Sequence, residues 1–527
     1  MALHETLLDW LTPPTDWQVF TPEWILLLFA LLAPIVSITD TDRRNIRQFT
    51  LFGLGGGFIV TLGTLLGWNY GLFSLRYIEW SQRSADSGHA VADAFRVTEA
   101  SQFLKLIFLG VAFLAVLGAG RALKGKAEED YGEFHSLILF ATLGMMIVAS
   151  AQNLIVLLLG IELASMSSYL LAGFRRDVIG AEAALKYFTI GAVSSGMTLF
   201  GISLVYGATG TTHIATLGTA LTTGGAFDAL SLVAIILLLG GLAFKISSVP
   251  FHVWAPDVYS GSPPAVSGML AAASKAMGFA AVFNVFLVGL IGVAANWQLA
   301  IAAIAVVAMT VGNLVALQQD RLSRMLAYSS VAQAGYLLIA VVVAGAVAGS
   351  SHFATHATYA VGGGMLHLLV NAAMKLGAFL IVGVLVLAGV SDHVDGYRGL
   401  ARRAPFLAFA MVVFLLSMAG IPPLGGFTSK FVLFSSAIDV GVTRHLGWLI
   451  WLAVFAVVNS AISLYYYVRV IRTMYVEDGD GGDVPMEGGA RAAIFACMAL
   501  VILVGIYPSW FIDAAMGAAA SLLGLAG

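Results

Sequence analysis

Cysteine and charge are both scarce in this 527-residue chain. Cys497 is its single cysteine, so the sequence can form no internal disulfide and has no set of cysteine ligands for an iron–sulfur cluster or a zinc site. Charged residues make up 10% of the chain, whereas apolar residues make up 59%. A soluble protein carries far more charge, about a quarter of its residues, so we predict an integral membrane protein.

Three other features of soluble or secreted proteins are missing. The net charge of −3 gives no electrostatic attraction to nucleic acid, and we expect no such partner. The N-terminal sequence MALHETLLDWLTPPTDW lacks the basic start and short apolar core of a cleavable signal peptide, so we expect none. The longest polar stretches, 71–100 and the acidic, Gly-rich 476–489, are too short to fold alone. We interpret 476–489 as a flexible connector, with partner docking as the alternative.

Long apolar runs occupy most of the chain. A helix needs about 20 mostly apolar residues to cross about 30 Å of hydrocarbon, and such runs recur along the whole sequence. We identify fourteen, at 23–39, 48–70, 101–121, 134–150, 153–173, 181–207, 228–248, 263–292, 297–318, 322–347, 353–389, 404–437, 445–474 and 490–514. The sequence therefore predicts an all-α polytopic membrane protein with about fourteen transmembrane helices.

Basic residues are concentrated in every second connection between the apolar runs. They follow the odd-numbered runs, in the connections that carry Arg43, Arg121, Arg175, Arg321, Arg398 and Arg469. The connections after runs 4, 6, 8 and 10 contain neither Lys nor Arg, and the connection after run 12 contains only Arg444. Because Lys and Arg in short loops favour the cytoplasm, we expect both termini outside, in a plasma (inner) membrane or its organellar equivalent. The connection 71–100, with Arg76, Arg83 and Arg96, is an exception that is long for this rule.

Five lysines fall inside apolar runs. They are Lys186, Lys245, Lys275, Lys375 and Lys430. An ammonium at the centre of a bilayer helix costs at least about 2.5–3.5 kcal/mol, so each lysine needs water, a partner or a lowered pKa. Desolvated lysine can lose its proton whereas arginine stays charged, so lysines inside and arginines outside favour a chain of switchable proton sites. The alternative is that each lysine only pairs with a neighbouring subunit or a backbone carbonyl.

Glu162 is an isolated acid in the apolar run GIELASMSSYLLAG. We expect its carboxyl group either to be protonated or to face a lysine. A Glu162–Lys245 pair at low dielectric would have two states that differ in the position of one proton. A buried ion pair that only fixes helix packing is the alternative.

Histidines can carry protons near neutral pH, and one is well placed to do so. His367 lies eight residues before Lys375, about two helical turns away and on the same face. His352 and His356 have the spacing of a metal-binding pair, but no acidic or cysteine ligand is nearby in the sequence, so we expect surface polar residues. His252 follows Pro250 and is either structural or a relay.

Two runs are interrupted beside a lysine. The first reads FKISSVPFHVWAPDVYSGSPPAV, with Lys245 five residues before Pro250. The second reads MAGIPPLGGFTSKFVLF, with Pro422 and Pro423 shortly before Lys430. Non-helical backbone at membrane depth survives only inside protein or beside a water-filled cavity, so we predict hydrated sites there. Corresponding interruptions in two halves are typical of an internally repeated transporter, and prolyl kinks used only for packing are the alternative.

Three segments carry a specific family resemblance. The stretches 244–275, 324–336 (RMLAYSSVAQAGY) and 419–431 (AGIPPLGGFTSKF) resemble antiporter-like subunits of the proton-pumping NADH-quinone oxidoreductase, respiratory complex I. The PDVYSGSP segment is similar to the N-type among them, and the likeness covers roughly 134–475. The resemblance implies two inverted five-helix repeats with broken helices 7 and 12. The implied divisions are 1–133 (helices 1–3), 134–292 (first repeat), 293–475 (second repeat) and 476–527 (connector and helix 14).

The resemblance also implies residue roles. Proton translocation would use Glu162, Lys245, Lys275 and Lys430, and the candidate relays are Lys186, His367 and Lys375. Lys375 departs from the N-type pattern, since lysine there is more typical of the sister L- and M-type subunits.

The function implied is a redox-inert, proton-translocating subunit that couples quinone reduction to proton pumping. This chain would hold no cofactor, and FMN, iron–sulfur clusters and quinone would belong to partner subunits. The expected membrane partners are other antiporter-like subunits, a small K-type subunit and lipids. A subunit of a multisubunit cation/proton antiporter is the alternative, and a relative with another electron donor is a third possibility.

Overall fold

The computed structural model describes residues 20–39, 43–66, 69–70, 73–74, 94–119, 131–223, 229–479 and 482–525. Within these residues the regular structure is helical apart from a short antiparallel pairing of β1 (Asn69–Tyr70) with β2 (Phe73–Ser74). The N-terminal segment, the interior of the 71–100 connection with Arg76 and Arg83, and the connection that carries Arg121 lie outside the described residues.

The first group of helices precedes and includes the first interrupted run. These helices are α1 (Thr21–Thr39), α2 (Arg43–Leu65), α3 (Glu99–Ala119), α4 (Tyr131–Ser150), α5 (Leu154–Ala172), α6 (Val178–Thr209), α7 (Leu217–Thr223), α8 (Ala229–Lys245) and α9 (Ala255–Gly261). Polar residues set several boundaries: the Asn153 side chain accepts a hydrogen bond from the Ile155 amide at the start of α5, and Asp177 does the same for Gly180 in α6. Gly210, with a φ of 71°, ends α6.

The second group completes the bundle. These helices are α10 (Pro264–Gly289), α11 (Gln298–Leu317), α12 (Leu322–Ala346), α13 (Phe353–Leu387), α14 (Leu400–Arg403), α15 (Pro405–Ala419), α16 (Gly425–Thr443), α17 (Gly447–Tyr475), α18 (Gly488–Ile506) and α19 (Pro508–Leu522). Short 3₁₀ turns occupy Ile214–Thr216, Ile291–Asn296 and Val394–Tyr397.

The predicted number of membrane crossings is confirmed. In the described part of the chain, twelve helices are long and apolar enough to span a membrane, and two shorter apolar helices, α8 and α15, are the first halves of the interrupted runs. Each of the fourteen predicted runs therefore contains one of these helices. The last run, predicted as a single helix over 490–514, is in fact two helices, because Pro508 cannot continue the backbone hydrogen bonds of α18 and Tyr507 is not helical.

Helices α10, α12 and α13 form the centre of the bundle. In their most apolar stretches 94%, 94% and 83% of the residues are buried inside the protein, compared with 28% for α1 and 33% for α6. Glycine allows close packing on α13: a Cβ atom at Gly377 would lie 2.3 Å from the Phe414 ring. Since α10 and α13 carry Lys275 and Lys375, these two amines are buried inside the protein.

The basic connections meet on one face of the bundle. Ion pairs join them to each other and to the acidic connector, at Arg47–Glu487, Arg398–Glu477, Arg402–Asp478 and Arg469–Asp320. On the opposite face, backbone hydrogen bonds join Gln152 to Ala94 and Ile214 to Gln152. The alternation read from the sequence therefore corresponds to two physical faces, while the cytoplasmic identity of the basic face stays a prediction.

A buried ion pair that the sequence did not indicate joins the first and third helices. The Lys105 ammonium of α3 lies 2.7 Å from a carboxylate oxygen of Glu23 in α1. The Lys105 side chain is 0% exposed and that of Glu23 is 9% exposed. Lys105 lies six residues after the start of α3, and a lysine so close to a helix end is expected near the protein surface. It is buried because α1 packs over it.

Candidate functional site

The first interruption separates α8 from α9. Helix α8 ends at Lys245 because Ser247 adopts a left-handed φ of 55° and Pro250 has no N–H to donate. Helix α9 begins only at Ala255. Carbonyl groups near the end of α8 are thereby released from helical hydrogen bonds and become acceptors for side chains.

Lys245 lies at this interruption and faces α5. Its side chain is 5% exposed, and its ammonium donates a hydrogen bond to Ser165 Oγ, which in turn donates to the Ile161 carbonyl. The same ammonium lies 5.7 Å from the centre of the Tyr169 ring, where the π-electrons add attraction for a cation.

Glu162 is close to Lys245 but does not form the expected direct ion pair. Among the described residues, no carboxylate lies within 4.0 Å of the Lys245 ammonium. The Glu162 carboxylate instead accepts a hydrogen bond of 2.5 Å from Ser195 of α6. Ser165, three residues after Glu162 on α5, accepts the hydrogen bond from Lys245. Ser165 and Ser195 were missed, although serines within apolar runs are a usable signal.

Lys275 binds to the end of α8 from the other side. It follows a π-helical turn, Leu270–Ser274, and is 1% exposed. Its ammonium donates to the Ile246 carbonyl at 3.0 Å and to the Ser330 carbonyl of α12 at 2.6 Å. A helix C-terminus carries partial negative charge, so the interruption creates a binding site for this cation.

Lys375 lies on the far side of α12 and is fully buried. Its ammonium donates to the Leu326 carbonyl at 2.9 Å and to Ser329 Oγ at 2.8 Å. The Ser329 hydroxyl also forms a hydrogen bond with Tyr467 of α17. Since Ser329 and Ser330 are adjacent, Lys375 and Lys275 bind to neighbouring residues of one helix.

The second interruption repeats the arrangement of the first. Helix α15 ends at Ala419, followed by Gly420 with a φ of 85°, and α16 begins at Gly425. The Lys430 ammonium donates to the Met418 carbonyl and to Ser460 Oγ, both at 2.8 Å. It also lies 4.5 Å from the centre of the Tyr336 ring. Lys430 thus binds to the end of α15 as Lys275 binds to the end of α8.

His367 connects to the Lys430 site through side chains of α12 and α16. Its Nδ1 is 2.9 Å from Ser429 Oγ, and its Nε2 is 2.9 Å from Gln333 Oε1. Gln333 Nε2 donates at 3.3 Å to the Met418 carbonyl, which also accepts from Lys430. Gln333 was not predicted, and its signal was a polar side chain within the apolar run 322–347.

Lys186 lies apart from this line of amines. Its side chain is 42% exposed and forms ion pairs with Glu182 at 2.6 Å and Asp257 at 2.8 Å. Asp257 is also paired with Arg324 at 2.6 Å. Lys186 therefore belongs to a partly exposed ion-pair cluster near α9, and its relay role stays a prediction.

The remaining histidines have separate surroundings. His356 Nδ1 lies 2.9 Å from a carboxylate oxygen of Asp439, an acid that sequence spacing could not place beside it. The His252 ring stands 6.4 Å from the Tyr328 ring. Among the described residues, no group of three His, Cys, Asp or Glu side chains could hold a metal ion.

Four of the five buried amines of the described residues form a line through the protein interior, and the fifth, Lys105, pairs with Glu23 elsewhere. The line runs from Lys245 through Lys275 and Lys375 to Lys430, and serine hydroxyls or main-chain carbonyls accept hydrogen bonds from every ammonium. Hydroxyl groups both donate and accept, so a proton that leaves one amine has polar groups to receive it. The arrangement can hold and pass protons.

The fold and the site define a polytopic membrane protein with amines at the broken ends of two transmembrane helices. Residues 151–463 match the family described as NADH:quinone oxidoreductase/Mrp antiporter, TM. Because this match covers more than half of the chain, the chain belongs to that family.

Relatives in this family share the chain's length. It is 42% identical over 528 residues to F(420)H(2) dehydrogenase subunit N of Methanosarcina mazei, covering 95% of this chain and 98% of that relative. It is 40% identical over 472 residues to NADH-quinone oxidoreductase subunit N of Trichlorobacter lovleyi, covering 88% of each. These matches confirm the resemblance to N-type subunits.

Solved structures show the same fold. A chain of respiratory complex I from Thermus thermophilus with bound aureothin is 30% identical, with a TM-score of 0.73, covering 94% of this chain and 99% of the other. A chain of the Mrp complex from Dietzia sp. DQ12-45-1b gives a TM-score of 0.79 at 21% identity, covering 97% and 100%. At that lower identity the likeness concerns the fold alone.

Proposed function

We propose that this chain is the redox-inert, proton-translocating subunit N of a complex I-type quinone oxidoreductase, in which quinone reduction elsewhere in the complex drives proton pumping. The observation that supports it best is the line of four buried amines, in which Lys245 at the end of α8 donates to α5 and the other three donate to the ends of α8 and α15 and to α12. Protons enter near Lys245, pass Lys275 and Lys375, and reach Lys430.

Charge movement at Glu162 and Lys245 is the coupling step in this proposal. Moving one elementary charge across 100 mV requires about 2.3 kcal/mol. A carboxylate and an ammonium held at neighbouring positions along one helix can change their interaction by this amount when the surrounding charge shifts, since electrostatic energies are large at low dielectric. The Lys245–Ser165 hydrogen bond holds the ammonium against α5 three residues after Glu162, whose carboxylate accepts a hydrogen bond from Ser195.

The cofactors belong to partner subunits in this proposal. FMN, iron–sulfur clusters and quinone would be bound there, and the membrane partners would be other antiporter-like subunits and a small K-type subunit. The names of two relatives specify different donors, F(420)H(2) and NADH, although both relatives are N subunits. The electron donor is therefore a property of the peripheral subunits rather than of this chain.

Replacing Lys275 tests the proposal. In the assembled complex, Lys275→Ala removes the ammonium that joins α8 to α12, and we expect proton pumping coupled to quinone reduction to fall strongly. Lys275→Arg should fail as well, because a permanently charged guanidinium cannot release its proton. The control is Arg402→Ala, which alters an 81% exposed ion-pair partner and should leave pumping unchanged.

Two results would count against the proposal. Unimpaired pumping by Lys275→Ala in a fully assembled complex would reject a central role for that amine. Isolation of the chain with only small membrane partners, together with sodium/proton exchange, would instead support the cation/proton antiporter alternative.

A further inference from the structure

Three buried polar side chains lie near the starts of α1 and α3, outside the line of amines. Glu23 is the third residue of α1, and Gln102 and Lys105 are the fourth and seventh residues of α3. Both helices begin on the same face of the bundle, because the rings of Phe20 and Phe95, which precede them, are 4.9 Å apart. Gln102 and Lys105 are three residues apart, so their side chains are neighbours on the surface of α3.

These side chains have fewer hydrogen bonds than their burial requires. Glu23, Gln102 and Lys105 are 7%, 1% and 0% exposed. The Lys105 ammonium lies 2.7 Å from one Glu23 oxygen. Across the described residues, however, no well-aligned hydrogen bond reaches either carboxylate oxygen, the ammonium, or the oxygen and nitrogen of the Gln102 amide. Burial of such groups without hydrogen bonds is costly and rare, so a further group that supplies them is expected here.

The start of α3 does not use the Gln102 side chain. Ser101 Oγ accepts a hydrogen bond of 2.8 Å from the Thr98 amide, and Thr98 Oγ1 accepts one of 3.2 Å from the Ser101 amide. Helical side chains lean toward the N-terminus of their helix, so the long Lys105 side chain extends over the turn that carries Gln102. The ammonium, the carboxylate and the amide therefore converge on one place between α1 and α3.

The chemistry of the three groups selects a small neutral ligand. The formal charges of Glu23 and Lys105 cancel, so the site favours an ion of neither sign. The ammonium only donates hydrogen bonds, the carboxylate only accepts them, and the amide does both, so the ligand must both donate and accept. Water has these properties, and a buried water molecule typically makes about three hydrogen bonds.

We propose that Glu23, Gln102 and Lys105 form a binding site for ordered water, which joins α1 to α3 by hydrogen bonds and takes no part in proton translocation. Water supplies hydrogen bonds but no opposite charge, so each ionised group still depends on the other. The site is independent of the proposed function, because it shares no hydrogen bond with the four amines of the line among the residues described.

The order of two substitutions tests the site in the purified complex. In a hydrated site, Gln102→Ala leaves room for a further water molecule, whereas Gln102→Leu excludes water from the ammonium and the carboxylate. We therefore expect Gln102→Leu to lower the SDS fraction at the unfolding midpoint more than Gln102→Ala does. In a dry site the order is reversed, because Ala leaves a cavity that Leu fills. The matched control, Gln318→Leu, alters an exposed glutamine at the end of α11 and should not change the midpoint.

Cryo-electron microscopy of the complex, at a resolution that shows ordered water, provides an independent measurement. We expect density about 2.7–3.2 Å from the Gln102 amide and from Glu23 or Lys105, and its loss in Gln102→Leu. The proposal is overturned if the wild-type complex lacks this density, or if Gln102→Ala is less stable than Gln102→Leu. Proton pumping by assembled Gln102→Leu should equal that of the wild type. Slower pumping would contradict a role in helix packing alone, whereas the proposed function is tested separately by Lys275→Ala.

Discussion

The buried pair of Glu23 and Lys105 gives a quantitative prediction about stability. At a separation of 2.7 Å, two unit charges attract each other by about 6 kcal/mol if the effective dielectric constant is about 20. Withdrawal of both charges from solvent offsets much of this attraction, so the net contribution of the intact pair is small. Loss of one partner is different, because the other charge stays buried without compensation.

The single and double variants should therefore differ sharply. We expect Lys105→Met to lower the free energy of unfolding by about 3–5 kcal/mol, and Glu23→Gln to lower it by a comparable amount. The double variant Glu23→Gln/Lys105→Met should recover most of that loss, because neither charge remains. The contrast follows from the 0% and 9% exposure of the two side chains.

Unfolding of the purified complex by SDS in mixed micelles, followed by tryptophan fluorescence, gives the required free energies. The matched control is the Arg402–Asp478 pair, whose side chains are 81% and 82% exposed, and its disruption should not change the unfolding midpoint. Our reasoning is refuted if Lys105→Met unfolds at the wild-type SDS fraction, or if the double variant is as unstable as the single ones.

Two further predictions concern the central line and the second interruption. Lys375→Met removes an ammonium bonded to Leu326 and Ser329, and we expect proton pumping to fall in an assembled complex; normal pumping would remove Lys375 from the line. Gly426→Ala places a Cβ atom 1.8 Å from the Ser417 carbonyl oxygen, so we expect destabilisation of at least about 1–3 kcal/mol and loss of assembly. Gly196→Ala is the control, because nothing lies within 4 Å of its added Cβ atom. Native gel electrophoresis measures assembly of both variants, and equal assembly would disprove the steric argument.

Hydropathy and backbone chemistry explain what could be predicted. Whether a segment can span a membrane depends on about 20 successive residues. The fourteen runs could therefore be recognised without knowing which helices pack against them. The interruptions near Pro250 and Pro422 were equally visible, because proline and glycine act on their own segment. The division of the last run at Tyr507 was missed, since its apolar residues continue past Pro508.

The site was predictable as a set of residues but not as a set of contacts. Lys245, Lys275 and Lys430 were recognised because an amine in an apolar run is costly wherever it points. Their hydrogen-bond partners lie on other helices, often tens of residues away, so local patterns could not identify them. The same limit explains why Glu162 was expected to face Lys245 directly and instead accepts a hydrogen bond from Ser195.

The sequence by itself determined that this chain is a membrane protein with two interrupted helices and amines at lipid depth, because each of these properties depends on a short stretch of residues. Tertiary structure alone decided that Lys275 binds to the end of α8, that Lys186 is partly exposed and paired with Asp257, and that Glu23 pairs with Lys105. Those outcomes depend on the register and rotation of helices packed against each other, and a difference of one residue turns a side chain about 100° around its helix.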